Sequence, residues 1–369
     1  MSTAACAAPA TAATTRASTR PRSISSAWRS TTPSEDRGDG RAAAAALFRG
    51  GAGKLRGIPP ALQEPAMPGP ETTLPLAQQR RPVRVATVQW ALGQSSELPA
   101  LLEALEHTVA TLAGYGVELA VFPEFFHVNL LKGARFAQGP AQMRKLAEYT
   151  EPLLAAFSRL AQRYRVNLCP GSLPLEEGGR LLNMSWLCHR DGSQDRQPKL
   201  HITPNEREAW GLEGGNSLQV FDSDVGRVGI LVCYDVEFPE LPRLLREQGL
   251  EILLVPFWTD TRHGYLRVRL CAQARAVENE CYVAIAGGVG LLRGVENVDT
   301  QYSQSAIFSP ADLPFPPDAV LAQADANIES FAIADLDLAR LAQLREAGAV
   351  RNGRDRRRDL YQLSWTAIR

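Results

Sequence analysis

The sequence predicts an α/β protein containing two β-sheets, and three observations carry that reading. From about residue 82 onward, apolar runs of strand length alternate with stretches whose apolar residues recur at helical spacing. The strands outnumber the helices by more than one helix-flanked sheet needs. The chain of 369 residues is 45% hydrophobic and 22% charged, the balance of a globular protein able to bury a sizeable core.

Residues 83–89 (VRVATVQ) have strand character, with Val83, Val85 and Thr87 on one face. A helix is predicted over 98–112, where Leu98, Leu101, Leu102, Leu105, Val109 and Leu112 share a stripe, and Gly114 and Gly116 end it. A buried strand follows at 118–122, then an amphipathic helix at 143–164 and a strand at 166–170. Residues 181–189 and 194–199 pair across Asp191-Gly192, a dipeptide that tolerates the positive φ of a tight hairpin. Strands at 220–222 and 228–233 flank a turn at 224–226. A helix at 241–248, a strand at 250–256, a helix at 265–279, strands at 281–286, 304–309 and 331–334, and a helix at 336–346 complete the series. One contiguous domain over 81–347 is expected.

The two ends of the chain differ in kind. Residues 1–80 are rich in Ala, Ser, Thr, Arg, Gly and Pro, lack periodicity and hold no acidic residue before Glu35. Such a segment cannot bury enough apolar area to offset its ordering entropy, so it reads as a disordered extension. An organelle transit peptide is the functional alternative, since Arg16, Arg20, Arg22 and Arg29 without acids suit one. An extension without a role, or a start codon placed too far upstream, is the bland one. Residues 348–369 pass through RNGRDRRRD before Leu360, Tyr361, Leu363 and Trp365. They are expected to form an arm that docks on a partner subunit, the other reading being a solvated charge run with a frayed end.

The 40 basic and 40 acidic side chains cancel, which implies neither a nucleic-acid partner nor an anionic membrane surface. No apolar run approaches the roughly 18 residues of a membrane span. The six cysteines form no C-x-x-C pair and mostly sit in apolar stretches, where a free thiol behaves as a small hydrophobe. A reducing, cytoplasmic setting is expected, or an organelle matrix if residues 1–80 are a transit peptide. Gly287, Gly288 and Gly290 complete no phosphate-loop pattern. The five histidines show no paired metal-ligand spacing, so neither a metal nor a cofactor is expected. His127 and His201 read as surface or capping histidines, with pocket lining as the alternative.

Three segments place reactive side chains at strand ends. In VFPEFF, Glu124 directly follows a buried strand and is enclosed by Phe122, Phe125 and Phe126; desolvation there raises a carboxyl pKa and makes it a better base. Lys199 closes a strand, and a proline-containing loop then presents Glu206. In ILVCYDVEFPE, Cys233 ends an apolar strand on a turn, where a thiolate is exposed and backbone N–H groups bind an oxyanion. Taken singly, each segment is more often a turn, a solvated lysine or a buried structural cysteine. Cys169, Cys188, Cys271 and Cys281 fit that last description, having no such cluster of charged groups beside them.

Together VFPEFF, then K-x-x-x-P-x-E-R-x-x-W-G, then CYDVEFPE closely resemble the three signature motifs of the nitrilase, or carbon–nitrogen hydrolase, superfamily. The resemblance runs from about Val83 to Leu336 and implies a four-layer α-β-β-α sandwich. It implies Glu124, Lys199 and Cys233 as the catalytic triad and Glu206 as a further active-site glutamate, with Glu208 and Glu213 nearby. The stretch PFWTDTRHGYLRVRLCAQARAVENECYVA and the ending DRRRDLYQLSW resemble a bacterial-type branch of predicted amidohydrolases. Some of its members carry an acetyltransferase domain ahead of the hydrolase; residues 1–80 are too short and too simple to be one. The resemblance also implies a homodimer or higher homo-oligomer, with C-terminal arms crossing to the neighbour.

The implied reaction is cleavage of a small linear amide or carbamoyl compound through a cysteine thioester, releasing ammonia or an amine. Glu124 would move the proton, while Lys199 and the backbone N–H of Tyr234 would hold the oxyanion. Tyr-Asp after the cysteine is more typical of the amidase and carbamoylase branches, whereas true nitrilases more often show Trp-Glu. Arg262, Arg267, Arg269 and Arg275 are candidates to bind a substrate carboxylate. Nitrile hydrolysis, acyl transfer on the same triad and a catalytically silent scaffold are the alternatives.

Overall fold

The computed structural model describes residues 81–366, apart from residues 94–95, 134–137 and 299. The expectations for residues 1–80 lie outside the described residues. In chain order the first half holds β1 (Val83–Gln89), α1 (Leu98–Gly114), β2 (Leu119–Val121), α2 (Pro140–Ala147), α3 (Thr150–Tyr164), β3 (Asn167–Cys169), β4 (Ser172–Glu177), β5 (Arg180–Cys188), β6 (Gln194–Pro198) and α4 (Pro204–Trp210). The second half adds β7 (Phe221–Ser223), β8 (Gly226–Ile230), α5 (Glu240–Glu247), β9 (Ile252–Phe257), α6 (Arg262–Asn279), β10 (Tyr282–Gly287), β11 (Gly290–Leu291), β12 (Thr300–Gln301), β13 (Ala306–Phe308), β14 (Val320–Gln323), β15 (Ser330–Leu336) and α7 (Leu338–Ala347). Among the described residues no helix is long and apolar enough to cross a membrane.

The strands form two main sheets. One runs β15-β1-β2-β3-β5-β4 with β6 added against β5; the other runs β14-β13-β10-β9-β8-β7. Each has a parallel centre, β1–β2–β3 in the first and β8–β9–β10 in the second. Alternation along the strands decides which face each side chain takes. Val83 and Val85 of β1, Leu119 and Val121 of β2 and Cys169 of β3 share a buried cluster with Val228, Ile230, Leu253 and Val283 of the second sheet. The intervening residues Ala86, Val88, Ala120 and Leu168 meet Leu105 and Val109 of α1 and Phe157 and Leu160 of α3. Leu245 of α5 and Val268 and Ala272 of α6 close the far side. The layers are therefore α-β-β-α, as the resemblance implied. Each buried Leu or Val in this arrangement contributes about 1.5–3 kcal/mol.

Two local readings change. The helix expected over 143–164 is two helices, α2 and α3, broken at residues 148–149. Pro152 is the reason: it has no N–H for the carbonyl four residues earlier, and its ring clashes there. The segment carrying Glu206 is a helix rather than a loop, α4. The expected pairing of 181–189 with 194–199 is present as β5 with β6, and β4 also pairs with β5, from Ser172 opposite Ser185 to Glu177 opposite Arg180. Gly178 and Gly179 make that turn at φ +59° and +78°, the left-handed conformation a two-residue hairpin requires.

Candidate active site

Ligand crevices of parallel sheets open beyond the carboxyl ends of the strands, and all three motif residues lie there. From β2, Phe122 and Pro123 lead to Glu124, whose backbone bridges Ser172. The next residue, Phe125, donates its N–H to the Ser172 carbonyl at 3.0 Å and holds φ +48°. For a non-glycine residue that conformation costs on the order of 1–2 kcal/mol. Burial of its ring edge-on to Trp210 and Trp258, with centroids 5.9 and 6.2 Å away, holds it there. Gly171 permits the close approach behind: a Cβ on it would lie 1.9 Å from the Pro123 carbonyl oxygen.

Lys199 follows β6, and its N–H donates to the Asn183 carbonyl on β5 at 2.9 Å. Its ammonium donates to Glu124 Oε1 at 2.9 Å and to Glu206 Oε1 and Oε2 at 2.7 and 2.9 Å. Asn183 Nδ2 donates to the same two carboxylates, at 2.7 Å to Glu124 and 3.3 Å to Glu206. Glu206 is also the third residue of α4. It closes a capping box there, accepting from Thr203 N–H at 2.9 Å while its own N–H donates to Thr203 Oγ1 at 3.2 Å. Glu208 is exposed and Glu213 pairs with Arg180, so Glu206 is the glutamate that meets Lys199.

Cys233 opens a 3-10 turn, Cys233–Glu237, directly beyond β8 and holds φ +52°. Its Sγ donates to the Trp258 carbonyl at 3.4 Å rather than to Glu124 or Lys199. Two residues on, the buried Asp235 ties this turn to the Lys199 loop. Its Oδ2 accepts from Leu200 N–H at 3.0 Å, and its Oδ1 from His201 N–H at 2.7 Å and His201 Nδ1 at 2.9 Å. The His201 ring stacks on Phe238 at 3.6 Å and 9°. His201 does not line the cavity and is held by Asp235 and Phe238; His127 is neither surface nor pocket, being fully buried.

A cavity of about 560 Å³ opens over the cluster. Glu124, Glu206, Cys233 and Tyr234 line it, together with Trp258, and Lys199 lies behind the two carboxylates. Tyr234 is the second residue of the Cys233 turn, and the first N–H groups of a helical turn have no partner within it.

Burial pushes the Glu124 carboxyl above its ordinary range, Lys199 opposing and Glu206 adding to the rise. Burial alone would lower the Lys199 ammonium, but Glu124 and Glu206 outweigh it and hold its pKa well above the usual value. The Cys233 thiol is pushed up by burial and by Glu124, against Lys199. Burial thus favours the thiol form of Cys233 and makes Glu124 a stronger base than a free carboxylate, while the two glutamates favour the charged form of Lys199.

The structure brings together every residue the motifs singled out. Asn183 and Asp235 were missed as site-building residues. For Asp235 the signal was present inside CYDVEFPE, whereas Asn183 sits in a strand interior whose pairing register alone aims it at Glu124. Of the four arginines, Arg267 reaches the cavity wall.

Residues 84–346 match the carbon–nitrogen hydrolase family. Probable hydrolase YhcX of Bacillus subtilis (strain 168) is 42% identical over 284 residues, covering 77% of this chain and 55% of that protein, so the chain spans little more than half of its length. Omega-amidase NIT2 of Xenopus tropicalis is 31% identical over 257 residues, covering 67% of this chain and 86% of that protein. The solved structure of Caenorhabditis elegans NitFhit is similar with a TM-score of 0.64 at 24% identity, over 77% of this chain and 67% of that one. Nit3 of Saccharomyces cerevisiae, a member of the nitrilase superfamily, gives 0.61 at 24%, over 75% and 97%. Those two bear on the fold alone. With the family match spanning most of the described residues and the three motifs converging on one cavity, the chain belongs to the carbon–nitrogen hydrolase family.

Proposed function

We propose that this chain hydrolyses a small linear amide or carbamoyl compound through a thioester on Cys233. The observation that carries the reading is the buried contact set of Glu124, Lys199 and Glu206 at the base of the cavity that Cys233 lines. Glu124 takes the thiol proton, and the sulfur pair attacks the carbonyl carbon. The carbonyl π pair becomes an oxyanion held by the Lys199 ammonium and the Tyr234 N–H. Collapse breaks the C–N bond, and Glu124 returns its proton to the departing nitrogen. Water then gives a proton to Glu124 and attacks the thioester, the acid leaves, and the thiol re-forms. Glu206 holds Lys199 in place throughout.

An amide rather than a nitrile is favoured by relatives named omega-amidases and by the Tyr234-Asp235 pair. The test is ammonia release across small amides, carbamoyl compounds and nitriles, beside Cys233→Ala. Release from an amide or carbamoyl compound that disappears in Cys233→Ala is the expected result. More than trace turnover by Cys233→Ala sinks the thioester route, and excess amine diverting the acid product into a new amide would assign acyl transfer. The same reading places residues 348–366 at a subunit interface, since Leu360, Tyr361 and Trp365 are 69%, 53% and 40% exposed. Sedimentation that finds a monomer rejects that part.

A further inference from the structure

We propose that Asn183 is a positioning residue for the proton transfer: with Lys199 it fills Oε1 of Glu124, so that Oε2 takes the Cys233 proton and returns it to the departing nitrogen. This rests on the amide-hydrolase reading. Four carboxylate oxygens meet at the base of the cavity, and the hydrogen bonds divide them unequally. Oε1 of Glu124 accepts from Lys199 Nζ at 2.9 Å and from Asn183 Nδ2 at 2.7 Å. Oε1 of Glu206 accepts from the same two groups, at 2.7 and 3.3 Å. Oε2 of Glu206 accepts from Lys199 Nζ at 2.9 Å and from the Thr203 N–H at 2.9 Å. A carboxylate oxygen offers two lone-pair sites, so each of these three oxygens is filled. Oε2 of Glu124 has no donor among the described residues, and Glu124 lines the same cavity as Cys233.

The orientation of the amide follows from its neighbours. Turned over, Oδ1 would face two carboxylate oxygens, whereas Nδ2 supplies an N–H to each. Asn183 thus adds a donor to both Oε1 atoms without adding a charge or a proton that could move. Its Oδ1 is buried without a partner, so the side chain forgoes a hydrogen bond to keep the donor in place. The backbone supplies the rigidity. Asn183 lies in β5 opposite Pro174 of β4, and its carbonyl accepts the Lys199 N–H at 2.9 Å. The residue that fixes where Lys199 leaves β6 therefore also shares the two carboxylates that Lys199 holds. Burial is the largest influence on Glu124 and pushes its carboxyl up; the Asn183 hydrogen bond is among the contacts that pull it back. Protonating a filled oxygen would break one of its bonds to a buried donor, which directs the proton to Oε2.

The test is the pH dependence of two rates in Asn183→Leu, which is close in size and has no donor, and in Asn183→Ser, whose hydroxyl is too short to bridge two carboxylates. One rate is kcat/KM for ammonia release from a small amide such as propionamide. The other is alkylation of Cys233 by iodoacetamide, which draws on the same base and needs no turnover. Both should fall in acid as Glu124 takes up a proton. With the donor gone Glu124 holds that proton more tightly, so the acidic limb of both profiles should move to higher pH. The expected shift is about one unit, roughly the effect of one hydrogen bond on a carboxylate. The plateau of kcat should also fall, by about tenfold with KM little changed, because a proton on Oε1 is badly placed for the departing nitrogen. A lower plateau with the limb unmoved makes Asn183 structural only and overturns the proposal, as does a limb that moves to lower pH. If Asn183→Leu does not fold, Asn183→Ser decides between the same outcomes. A shifted alkylation profile with no ammonia from any amide keeps the proposal and sinks the hydrolase reading. Ammonia release that requires Cys233, with neither limb shifted in the variants, does the reverse.

Discussion

Gln89 at the end of β1 and Lys199 after β6 each sit at the centre of a buried polar cluster, and the clusters differ in what they leave open. Gln89 donates from Nε2 to the carbonyls of Asp325 and Ile328 at 2.6 and 2.7 Å. Its Oε1 accepts from Ser305 N–H at 2.6 Å and Ser303 Oγ at 3.2 Å. Both donors and both lone pairs are used, no charge is present, and the result stitches β1 of one sheet to the strand region of the other. The Lys199 cluster joins an ammonium to two ionisable carboxyl groups, one of them pushed up by burial, with an Asn183 Oδ1 without a partner and a cavity beside it. A closed neutral network fixes a structure; an open charged one beside a cavity can move a proton.

Removing the centre of the charged cluster should have the largest effect. Lys199→Ala leaves Glu124 and Glu206 facing each other without their cation, which costs about 3–5 kcal/mol of stability. Turnover per folded molecule should fall on the order of 10²–10³-fold with the oxyanion donor gone. The two losses should differ in pH dependence. Glu124 already has a raised carboxyl pKa, and losing Lys199, which opposes the rise, raises it further. A raised folded-state pKa favours the native state at low pH and loses that advantage as pH rises through it. The stability deficit of Lys199→Ala in urea unfolding should therefore be smaller at pH 5 than at pH 8. An equal deficit at both would mean this cluster is structural in the same sense as that of Gln89.

Gln89→Leu is the matching change in the neutral cluster. It strands the Ser305 N–H and two carbonyls in the interior, for a loss of about 3 kcal/mol. Having no titratable member, the cluster should show the same deficit at pH 5 and pH 8, and kcat per folded molecule should hold. A fall in kcat for folded Gln89→Leu would end the separation between the two clusters.

Asp235 stands between them in character: charged, yet closed. Asn has the same size but turns one acceptor into an NH₂ group facing an N–H, so Asp235→Asn should loosen the Lys199 loop from the Cys233 turn. A misplacement approaching 1 Å costs about 10²-fold in rate. The expected signature is a loss in kcat with KM little changed, together with slower alkylation of Cys233. Reduced stability with undiminished kcat in the folded fraction would make Asp235 structural only.

How far the site was legible in the sequence follows from the distance over which each interaction acts. Glu124 and Cys233 could be read because each follows an apolar strand, a local pattern, whereas Lys199 follows the polar strand β6 and was legible only through its motif spacing to Glu206. Thr203-Pro204-Asn205-Glu206 spells a capping box, the one local signal of α4, which is too short for apolar periodicity to announce it. Pro152 is an equally local signal, and it divides the apolar stripe of 143–164 into α2 and α3. Asn183 was beyond reach, because its contact with Glu124 depends on how β5, β6 and the end of β2 are registered across 59 residues. Arg267 was one of four on a helix whose spacing does not say which face meets a cavity. The two sheets could be inferred from the number of strands, but the central place of β5 needed the Gly178-Gly179 turn to be read as a hairpin.

His127 offers the smallest effect and the cleanest contrast with Gln89. It lies beside Phe126, its ring centroid 5.3 Å away, and its N–H and lone pair are both buried without partners. The Gln89 side chain satisfies every polar atom it buries; the His127 ring satisfies neither of its nitrogens. Burial pushes its pKa down to about 3 from 6.5, so the native state refuses a proton that the unfolded chain accepts. The sign follows: this depressed pKa contributes stability that is present above about pH 6.5 and is lost as pH falls towards 3. One unit below 6.5 the loss is about 1.4 kcal/mol. His127→Leu removes the group that cannot be protonated and fills the same apolar site, so it should raise stability at pH 5.5 by about that much relative to its effect at pH 8. Urea unfolding of wild type and variant at the two pH values reads the difference. A variant whose gain is the same at both would mean that His127 takes up its proton in the folded protein, and that the neighbourhood of Phe126 admits water or a carboxylate when it does.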